Sequence, residues 1–390
     1  MKSSYKKLGN YIQIVNKRDS SKKIDKLLGV SIRKVLIPSI ANIIGTDMST
    51  YKIIQKNQFA YGPVTSRNGD KISVAVLDEY EEAIVSQAYT VFDVIDKNEL
   101  LPEYLMMWFR RSEFDRYARF KSHGSAREIF GWDEMCDTEL PIPSIEKQRE
   151  IVKEYHVIQN QMALNNQLIF KLEETAQAIY KQWFVEGTEE NWEEKSIGDL
   201  CSLITDGKHG DCQNEINSGY YFVSVKDLIN GDIFYSNVRQ ITKKDFEETH
   251  KRTDLNPGDI LITSSGTIGR MIIVKENPKT YRTTLQKSVA ILKPIAEIAP
   301  CYYLFSMLNS EMKNIIELAG GSTIANLLLG DLKRFKIKYP GQSLIYQYEK
   351  VITPIYKNIE LKNKEIQNLT ELKDLLLARM TRVESEKELI

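Results

Sequence analysis

Two stretches of the chain carry apolar residues in alternating steps of four and three, the spacing of a coiled-coil seam. In residues 144–186 the seam positions are Ile151, Tyr155, Ile158, Met162, Asn165, Ile169, Leu172, Ala176, Ile179 and Trp183. A second seam follows at the offset of 197 that separates Pro143 from Pro340: Tyr348, Ile352, Ile355, Ile359, Lys362, Ile366, Leu369, Lys373, Leu376 and Met380. Each stretch therefore predicts a long amphipathic helix.

The blocks that precede these two helices also repeat. Leu8-Gly9-Asn10 recurs as Ile197-Gly198-Asp199, and Pro102-Glu103-Tyr104 recurs as Pro300-Cys301-Tyr302. Recurrence of matching segments in the same order along a chain indicates a duplicated structural unit. The predicted domains are a first globular block at residues 1–143, a helix at 144–187, a second block at 188–340 and a C-terminal helix at 341–390.

Both globular blocks are predicted to mix α and β structure. In the first block, short apolar or alternating runs predict strands, and a longer run with apolar residues on one face predicts a helix. The predicted strands are Lys52-Ile53-Ile54, Phe59-Ala60-Tyr61, Ile72 to Leu77, Ala83-Ile84-Val85 and Tyr89 to Ile95, and the helix is Pro102 to Phe120. The fold class is therefore α/β (α+β), with two similar domains separated by long helices.

Signals at the helix ends refine these boundaries. Ser144 is a candidate N-cap, and Gly187 is a candidate stop for the first helix. Pro354 lies inside the second helical stretch. The helix either begins afresh there, with Thr353 as its cap, or kinks at the proline.

Neither predicted helix can bury its seam alone, so the two are expected to pair. In an antiparallel coiled coil, the central polar residues Asn165 and Lys362 would lie at the same level and fix the register. The two blocks would then be related by a pseudo-two-fold axis. Two similar readers suit a bipartite DNA target, because half-sites about 34 Å apart present the same groove face. The pattern alone fits a coiled-coil assembly scaffold without a DNA role equally well.

Composition and charge narrow the protein class. The net charge is +0, from 53 basic and 53 acidic residues, so a non-specific nucleic-acid binder is not indicated. Residues 1–143 carry 21 basic against 19 acidic residues, and neither block is a basic clamp. No apolar run approaches the length of a membrane helix, and the N-terminal residues lack the apolar stretch expected of a signal peptide. Four dispersed cysteines favour a reducing cytoplasm without disulfides.

The second block carries a family likeness in the order of its motifs. These are Thr205-Asp206-Gly207-Lys208-His209-Gly210, the segment Tyr221 to Gly231, Leu255 to Leu261 with Ser265 to Gly269, and Gly320-Gly321-Ser322-Thr323. In the first block the corresponding marks are Phe59 to Pro63 with Arg67, Val85-Ser86, Tyr104-Leu105, and Gly124 to Arg127 ahead of Pro141 to Pro143. With these motifs the chain resembles, over essentially its whole length, the specificity (S) subunit of Type I restriction–modification systems.

The resemblance implies a cytoplasmic DNA reader that is not itself an enzyme. Two target-recognition domains would each read one half of a split site in double-stranded DNA, and the helices would pair antiparallel. Two methyltransferase (M) subunits would bind along the helices, and restriction/motor (R) subunits would bind through that core. No membrane partner and no cofactor is implied.

Candidate DNA-contacting residues are polar loop residues, because base edges are read by side chains with fixed donor geometry. In the first block Arg67 and Arg127 suit guanine, Asn68 suits adenine, and Lys71 is a further candidate. In the second block the candidates are Lys208, His209, Ser264, Ser265, Thr267 and Arg270. Each is equally compatible with an ordinary surface residue.

Residues for catalysis or metal binding are not indicated. The sequence holds no Asp-Pro-Pro-Tyr or Asn-Pro-Pro-Tyr motif and no Walker loop. His209 with Cys201 and Cys212 lacks zinc spacing. Gly266 to Gly269 is better explained as a hairpin turn than as a phosphate cradle. An enzyme with an unrecognised nuclease or methyltransferase site remains the third hypothesis.

Overall fold

The computed structural model describes residues 5–19, 24–39, 47–66, 71–124, 127–229, 231–317 and 326–382. The chain divides into two compact units, Met1–Ala163 with Ile366–Ile390, and Leu164–Glu365. Each long helix therefore contributes one half to each unit. The helices are α1 (Pro102–Arg110), α2 (Ser112–Lys121), α3 (Trp132–Asp137), α4 (Ile145–Tyr180), α5 (Ile197–Leu200), α6 (Lys243–Thr253), α7 (Cys301–Glu317), α8 (Leu329–Arg334) and α9 (Gln342–Arg379). In the described part of the chain, none of these helices is both long and apolar enough to cross a membrane.

The first unit is built on short strands. They are β1 (Tyr5–Lys7), β2 (Ile12–Val15), β3 (Leu27–Val30), β4 (Leu36–Pro38), β5 (Lys52–Gln55), β6 (Phe59–Gly62), β7 (Ser73–Val76), β8 (Glu82–Val85), β9 (Thr90–Val94) and β10 (Glu139–Pro141). Two four-stranded sheets have the orders β2-β9-β6-β7 and β4-β3-β8-β5, and β1 pairs with β10. The strands predicted in this block are thereby confirmed as β5 to β9.

The core of the first unit joins a sheet to helices. Phe59 stacks on Phe92 with ring centroids 4.7 Å apart, and Phe109 meets both rings edge-on. Ile151 from α4 and Leu377 from α9 are buried in the same cluster. The beginning of α4 and the end of α9 therefore share the core of the first domain, as an antiparallel pairing requires.

The second unit repeats this plan. Its strands are β11 (Glu193–Ser196), β12 (Cys201–Asp206), β13 (Tyr221–Val223), β14 (Leu228–Ile229), β15 (Asp232–Ile233), β16 (Arg239–Gln240), β17 (Ile260–Thr263), β18 (Met271–Ile273), β19 (Thr283–Leu285), β20 (Val289–Pro294) and β21 (Lys336–Tyr339). The sheet β12-β20-β17-β18 has the strand order of β2-β9-β6-β7, and β11 pairs with β21 as β1 does with β10. In the second sheet, β16-β13-β19 matches β4-β3-β8, including its one parallel pair. The predicted duplication is confirmed at the level of sheet topology.

The end of α4 meets the beginning of α9 in the second unit. The ring of Tyr348 lies 4.9 Å from that of Phe184 and 6.0 Å from that of Tyr180, measured between centroids. Every seam position named above is buried or half-buried. Both units therefore show the two helices in contact with opposite chain directions, which confirms the antiparallel coiled coil.

One predicted helix is wrong in its continuity. The stretch Pro102 to Phe120 forms two helices, because Arg111 adopts an extended backbone (φ −69°, ψ 138°). Its guanidinium lies 4.3 Å above the Trp108 ring centroid, and the residue is buried. Burial of this side chain against the ring accompanies a break that the periodicity did not reveal.

The ends of the long helices follow their local signals. Ser144 caps α4, since its Oγ accepts a hydrogen bond from the Lys147 backbone at 3.3 Å. Beyond α4 the chain makes a π-helical turn, Lys181–Glu186, and stops at Gly187, where a Cβ would lie 2.7 Å from the Trp183 carbonyl. Helix α9 runs continuously through Pro354. The alternative of a fresh helix start there is therefore wrong.

Glu349 gives the second unit a predictable pH dependence. It accepts a hydrogen bond from the Tyr303 backbone N–H at 3.1 Å, and burial raises the pKa of its carboxyl to about 7. Because this pKa lies above its ordinary value of 4.5, the folded state binds the carboxyl proton more tightly than the unfolded state does. This contribution to the unfolding free energy is fully present below about pH 4.5 and is lost as the pH rises through about 7. Glu349→Gln keeps the acceptor oxygen without the charge. Between pH 5 and 8 the wild type should lose about 2 kcal/mol more unfolding free energy than this variant, allowing for solvent screening. Urea titrations at both values measure this, and equal losses would contradict it.

Candidate nucleic-acid interface

In the first domain, the backbone segments beside the two candidate loops lie next to each other. The Thr65 backbone N–H donates to the Glu128 carbonyl at 3.0 Å, and the Phe130 N–H donates to the Pro63 carbonyl at 2.9 Å. Arg127, which is exposed, directly precedes this paired segment. Arg67 and Asn68 lie outside the described residues, two and three positions after Thr65. The loops that carry these candidates therefore start from adjacent backbone segments.

Lys71 is exposed at the other end of the same loop. Its successor, Ile72, donates its backbone N–H to Asp115 Oδ1 at 3.0 Å. This bond fixes the backbone on which the Lys71 side chain is mounted.

The loop after β12 is held by α6. Lys208 Nζ lies 2.8 Å from Asp245 Oδ1 and 3.2 Å from Glu248 Oε2. The Gln213 N–H also donates to Asp245, at 2.8 Å. The hydrogen bond from Lys208 lowers the pKa of Asp245 to about 2. Lys208 thus fixes the loop to α6. Its positive charge is paired with the carboxylates of Asp245 and Glu248.

His209 stands outward on this loop. Its Nε2 lies 2.8 Å from Asp206 Oδ2, while Arg252 Nη1 donates to Asp206 Oδ1 at 2.9 Å. Arg252 Nη2 also donates to the Gly207 carbonyl, at 2.5 Å. The exposed imidazole is therefore presented from a loop with several fixed points.

Ser264, Ser265, Thr267 and Arg270 lie in the turn that joins β17 to the antiparallel β18. Thr263 closes this turn, because its Oγ1 accepts from the Arg270 N–H at 2.9 Å and donates to the Thr267 carbonyl. At Gly269 (φ +86°) a Cβ would lie 2.7 Å from Ile316 Cδ1. The hairpin-turn interpretation of this segment is confirmed.

Within the turn the candidates differ in access. Ser264 is buried, and its backbone bonds to Ser288 and Leu327. Arg270 Nη1 donates to the Leu228 carbonyl at 2.8 Å, so its guanidinium braces the neighbouring loop. Thr267 is exposed at the tip. Of these candidates, Thr267 and Arg270 are exposed, and Ser265 is half-buried.

The paired helices contain the two predicted register residues. Asn165 is 2% exposed, as a seam residue should be. Lys362 is half-buried, and its Nζ lies 2.9 Å from Glu365 Oε2. Their direct proximity stays a prediction.

Apolar side chains are also exposed on the long helices. In the first unit, Val157, Leu372 and Leu375 line a groove of about 530 Å³, with Glu154 and Arg379 among its charged residues. In the second unit, Leu164, Leu168 and Phe170 line a surface depression of about 600 Å³, and Phe170 is 56% exposed. Exposed apolar patches with charged rims are typical of protein–protein contacts.

A family model described as the Type I restriction modification DNA specificity domain matches residues 6–174 and again residues 189–371. The two matches cover most of the chain, and they coincide with the two repeats seen in the sheets. The chain belongs to this family. The family expected from the sequence motifs is thereby confirmed.

Named relatives and a solved structure agree with this assignment. The chain is 24% identical to the Type I restriction enzyme MjaIX specificity subunit of Methanocaldococcus jannaschii over 314 residues, which is 74% of this chain and 70% of the relative. It is 21% identical to the HindI specificity subunit of Haemophilus influenzae over 427 residues, covering 89% and 90%. The crystal structure of the S subunit from M. genitalium aligns with a TM-score of 0.53 at 12% identity over 98% and 96% of the two chains. At that identity the structural likeness shows the fold alone.

Sequence reasoning missed the residues that position the second domain's loops. Asp245, Arg252 and Arg239 hold the segment between residues 206 and 214, Arg239 through Asp211 at 2.5 Å and through Asn214. One signal was available, since Thr242-x-x-Asp245 has the pattern of a helix N-terminus. Thr242 caps α6, and its Oγ1 accepts from the Asp245 N–H at 3.2 Å. Helix α6 therefore holds the loop after β12, which carries the candidates Lys208 and His209.

Proposed function

We propose that this chain is the DNA-sequence specificity subunit of a Type I restriction–modification complex. It reads a bipartite DNA site and positions the methyltransferase and restriction subunits on it. The observation that carries this proposal is the double match of the specificity-domain family to two domains with the same sheet topology, each followed by a long helix. A scaffold without a DNA role is disfavoured by the same observation.

The proposed division of labour follows the sequence blocks. Residues 1–143 read one half-site, residues 188–340 read the other, and the helices at 144–187 and 341–390 hold the domains. The cores support this, because in each unit the recognition domain packs against part of both helices. Each reader is thus anchored on a helix pair and not on a single flexible linker.

Base reading is assigned to loop residues. In the first domain these are Arg127, which is exposed, and Arg67 and Asn68, which follow Thr65 by two and three positions in the sequence. In the second domain His209 and Thr267 are exposed on braced loops. Braced loops suit base recognition, because side chains that are held in place lose little freedom on binding. Lys208 and Arg270 hold the loops in place through their bonds to Asp245 and to the Leu228 carbonyl.

The partners follow from the helices. The exposed apolar groove beside Leu375 and the depression beside Phe170 are the proposed contacts for two methyltransferase subunits. Restriction/motor subunits then join through the methyltransferase core. The chain itself recognises and does not catalyse, and it acts in the cytoplasm, where its DNA is.

Copurification and DNA binding test this function together. A methyltransferase subunit should copurify with the tagged chain from its native cells. The complex should retard a duplex that contains the cells' methylated motif, and a duplex with one substituted half-site should bind at least tenfold more weakly, in line with typical costs of base mismatches. Equal binding to both duplexes, or methylation by the purified chain alone, would overturn the proposal.

A further inference from the structure

A cationic cavity of about 300 Å³ lies in the first unit. It is lined by the turn at Arg33, by Lys71, by Arg110 at the end of α1, and by Lys373 on α9. Four positively charged side chains from four separate segments of the chain therefore converge on one space. No helix face or single charge run produces this cluster.

The negative groups in the cavity leave most of this charge uncompensated. Asp115 is matched by the buried Lys34, with Nζ and Oδ1 2.7 Å apart. Asp374 is the other carboxylate in the lining, and it is exposed. Within the described ranges, Arg33, Lys71, Arg110 and Lys373 form no ion pair with a carboxylate. The cavity therefore carries a net positive charge in a chain whose total charge is zero.

The cavity is held in shape by its own contacts. Lys34 stands in the left-handed region at φ 61°, and its Nζ donates to the Phe109 carbonyl as well as to Asp115. Asp115 also receives the Ile72 N–H at 3.0 Å, next to Lys71. Arg110 Nη1 donates to the Tyr155 hydroxyl at 3.4 Å, with its guanidinium 5.7 Å from the ring centroid. One buried ion pair thus connects the Arg33 turn to the backbone beside Lys71, and Arg110 is braced against α4.

We propose that this cavity binds a phosphate group of the DNA backbone, beside the bases that the first domain reads. Guanidinium and ammonium groups are the usual protein ligands of phosphate oxygens. Lys71 follows the candidate base readers Arg67 and Asn68 by four and three positions in the sequence, which motivates placing the phosphate beside the bases that they would read. The cavity groups several positively charged side chains in one place, so it can attract a phosphate although the chain as a whole has no net charge. This inference rests on the proposed function and adds a contact that sets affinity and register, not sequence preference.

The test compares two triple variants of the full-length chain in complex with its copurified methyltransferase. Arg33→Gln/Lys71→Gln/Lys373→Gln removes three charges from the cavity and leaves Arg110 on Tyr155. Lys56→Gln/Lys97→Gln/Arg116→Gln removes three exposed charges elsewhere in the first unit, each within 4 Å of a carboxylate in the wild type. Affinity for a 40-base-pair duplex is measured against salt concentration.

The cavity variant should bind about tenfold more weakly than the control variant at low salt, with a log K against log salt slope shallower by about 1. Equal slopes in the two triple variants would overturn the inference while leaving the proposed function intact. A wild-type complex that binds no duplex would refute the proposed function itself.

Free phosphate is the other source of this ligand chemistry. Orthophosphate and ATP are titrated into both variants and the wild type, with melting temperature as the readout. Stabilisation of the wild type by millimolar free phosphate that is lost only in the cavity variant, together with unchanged DNA binding, would overturn the assignment to DNA. Weak, equal effects on all three proteins support it.

Discussion

Replacing Tyr348 by alanine is expected to lower the unfolding free energy of the second unit by about 4 kcal/mol. The side chain is fully buried, and its ring contacts the rings of Phe184, Trp183 and Tyr303 at 4.9, 5.9 and 6.2 Å between centroids. Alanine would leave a cavity where α9 meets the end of α4. The surrounding rings are rigid and cannot move in to fill the space that the tyrosine ring leaves. Urea titration followed by circular dichroism measures the effect.

Tyr346 provides the matched control. It lies two residues away on α9 and is 62% exposed, with Lys350 above its ring at 4.3 Å. Tyr346→Ala should change the unfolding free energy by less than about 1 kcal/mol. Similar losses in the two variants would show that the buried aromatic cluster does not hold the helices together.

Gln148→Ala is expected to destabilise the first unit by about 3 kcal/mol. Gln148 is fully buried in the first turns of α4. Its Oε1 accepts from the Leu101 N–H at 2.9 Å, and its Nε2 donates to the carbonyls of Glu99 at 2.8 Å and Pro143 at 3.0 Å. Alanine would leave three backbone groups without partners, and Leu101 is the residue that precedes α1. The amide therefore ties the recognition domain to the long helix.

Asn160→Ala on the same helix separates this effect from helix propensity. Asn160 is exposed, and alanine is the better helix former, so stability should stay within about 0.5 kcal/mol. Thermal unfolding of the two variants and the wild type is the measurement. A Gln148→Ala protein as stable as the Asn160→Ala protein would exclude the proposed role of the amide.

Local periodicity predicted the long helices and their faces well. The seam positions repeat every three or four residues, and the burial of Asn165 was readable because it interrupts an otherwise apolar series. The recurrence of matching segments in the same order predicted the duplicated domains, and the two halves have matching strand orders in their sheets. Continuity was harder to predict: the helix ends at Arg111, whose guanidinium lies over the Trp108 ring, while α9 continues through Pro354.

The candidate site was less accessible to sequence reasoning, because its determining contacts are distant along the chain. Lys208 had the character of a free cation, yet its partner Asp245 lies 37 residues away. Arg33, Lys71 and Lys373 share a cavity only after the first domain has folded against α9. Nothing in local spacing encodes such convergence. The sequence predicted which types of residue lie in the loops. It did not predict that some of these side chains, such as Lys208, are already bonded to another residue of the chain.

The central claim is that two domains read two separate halves of one DNA site. Methylome sequencing of cells carrying the wild type, Arg67→Ala or Thr267→Ala tests it most directly. We expect a split motif in the wild type, altered bases in one half only with Arg67→Ala, and altered bases in the other half only with Thr267→Ala. A contiguous motif, or changes in the same half from both variants, would contradict the account.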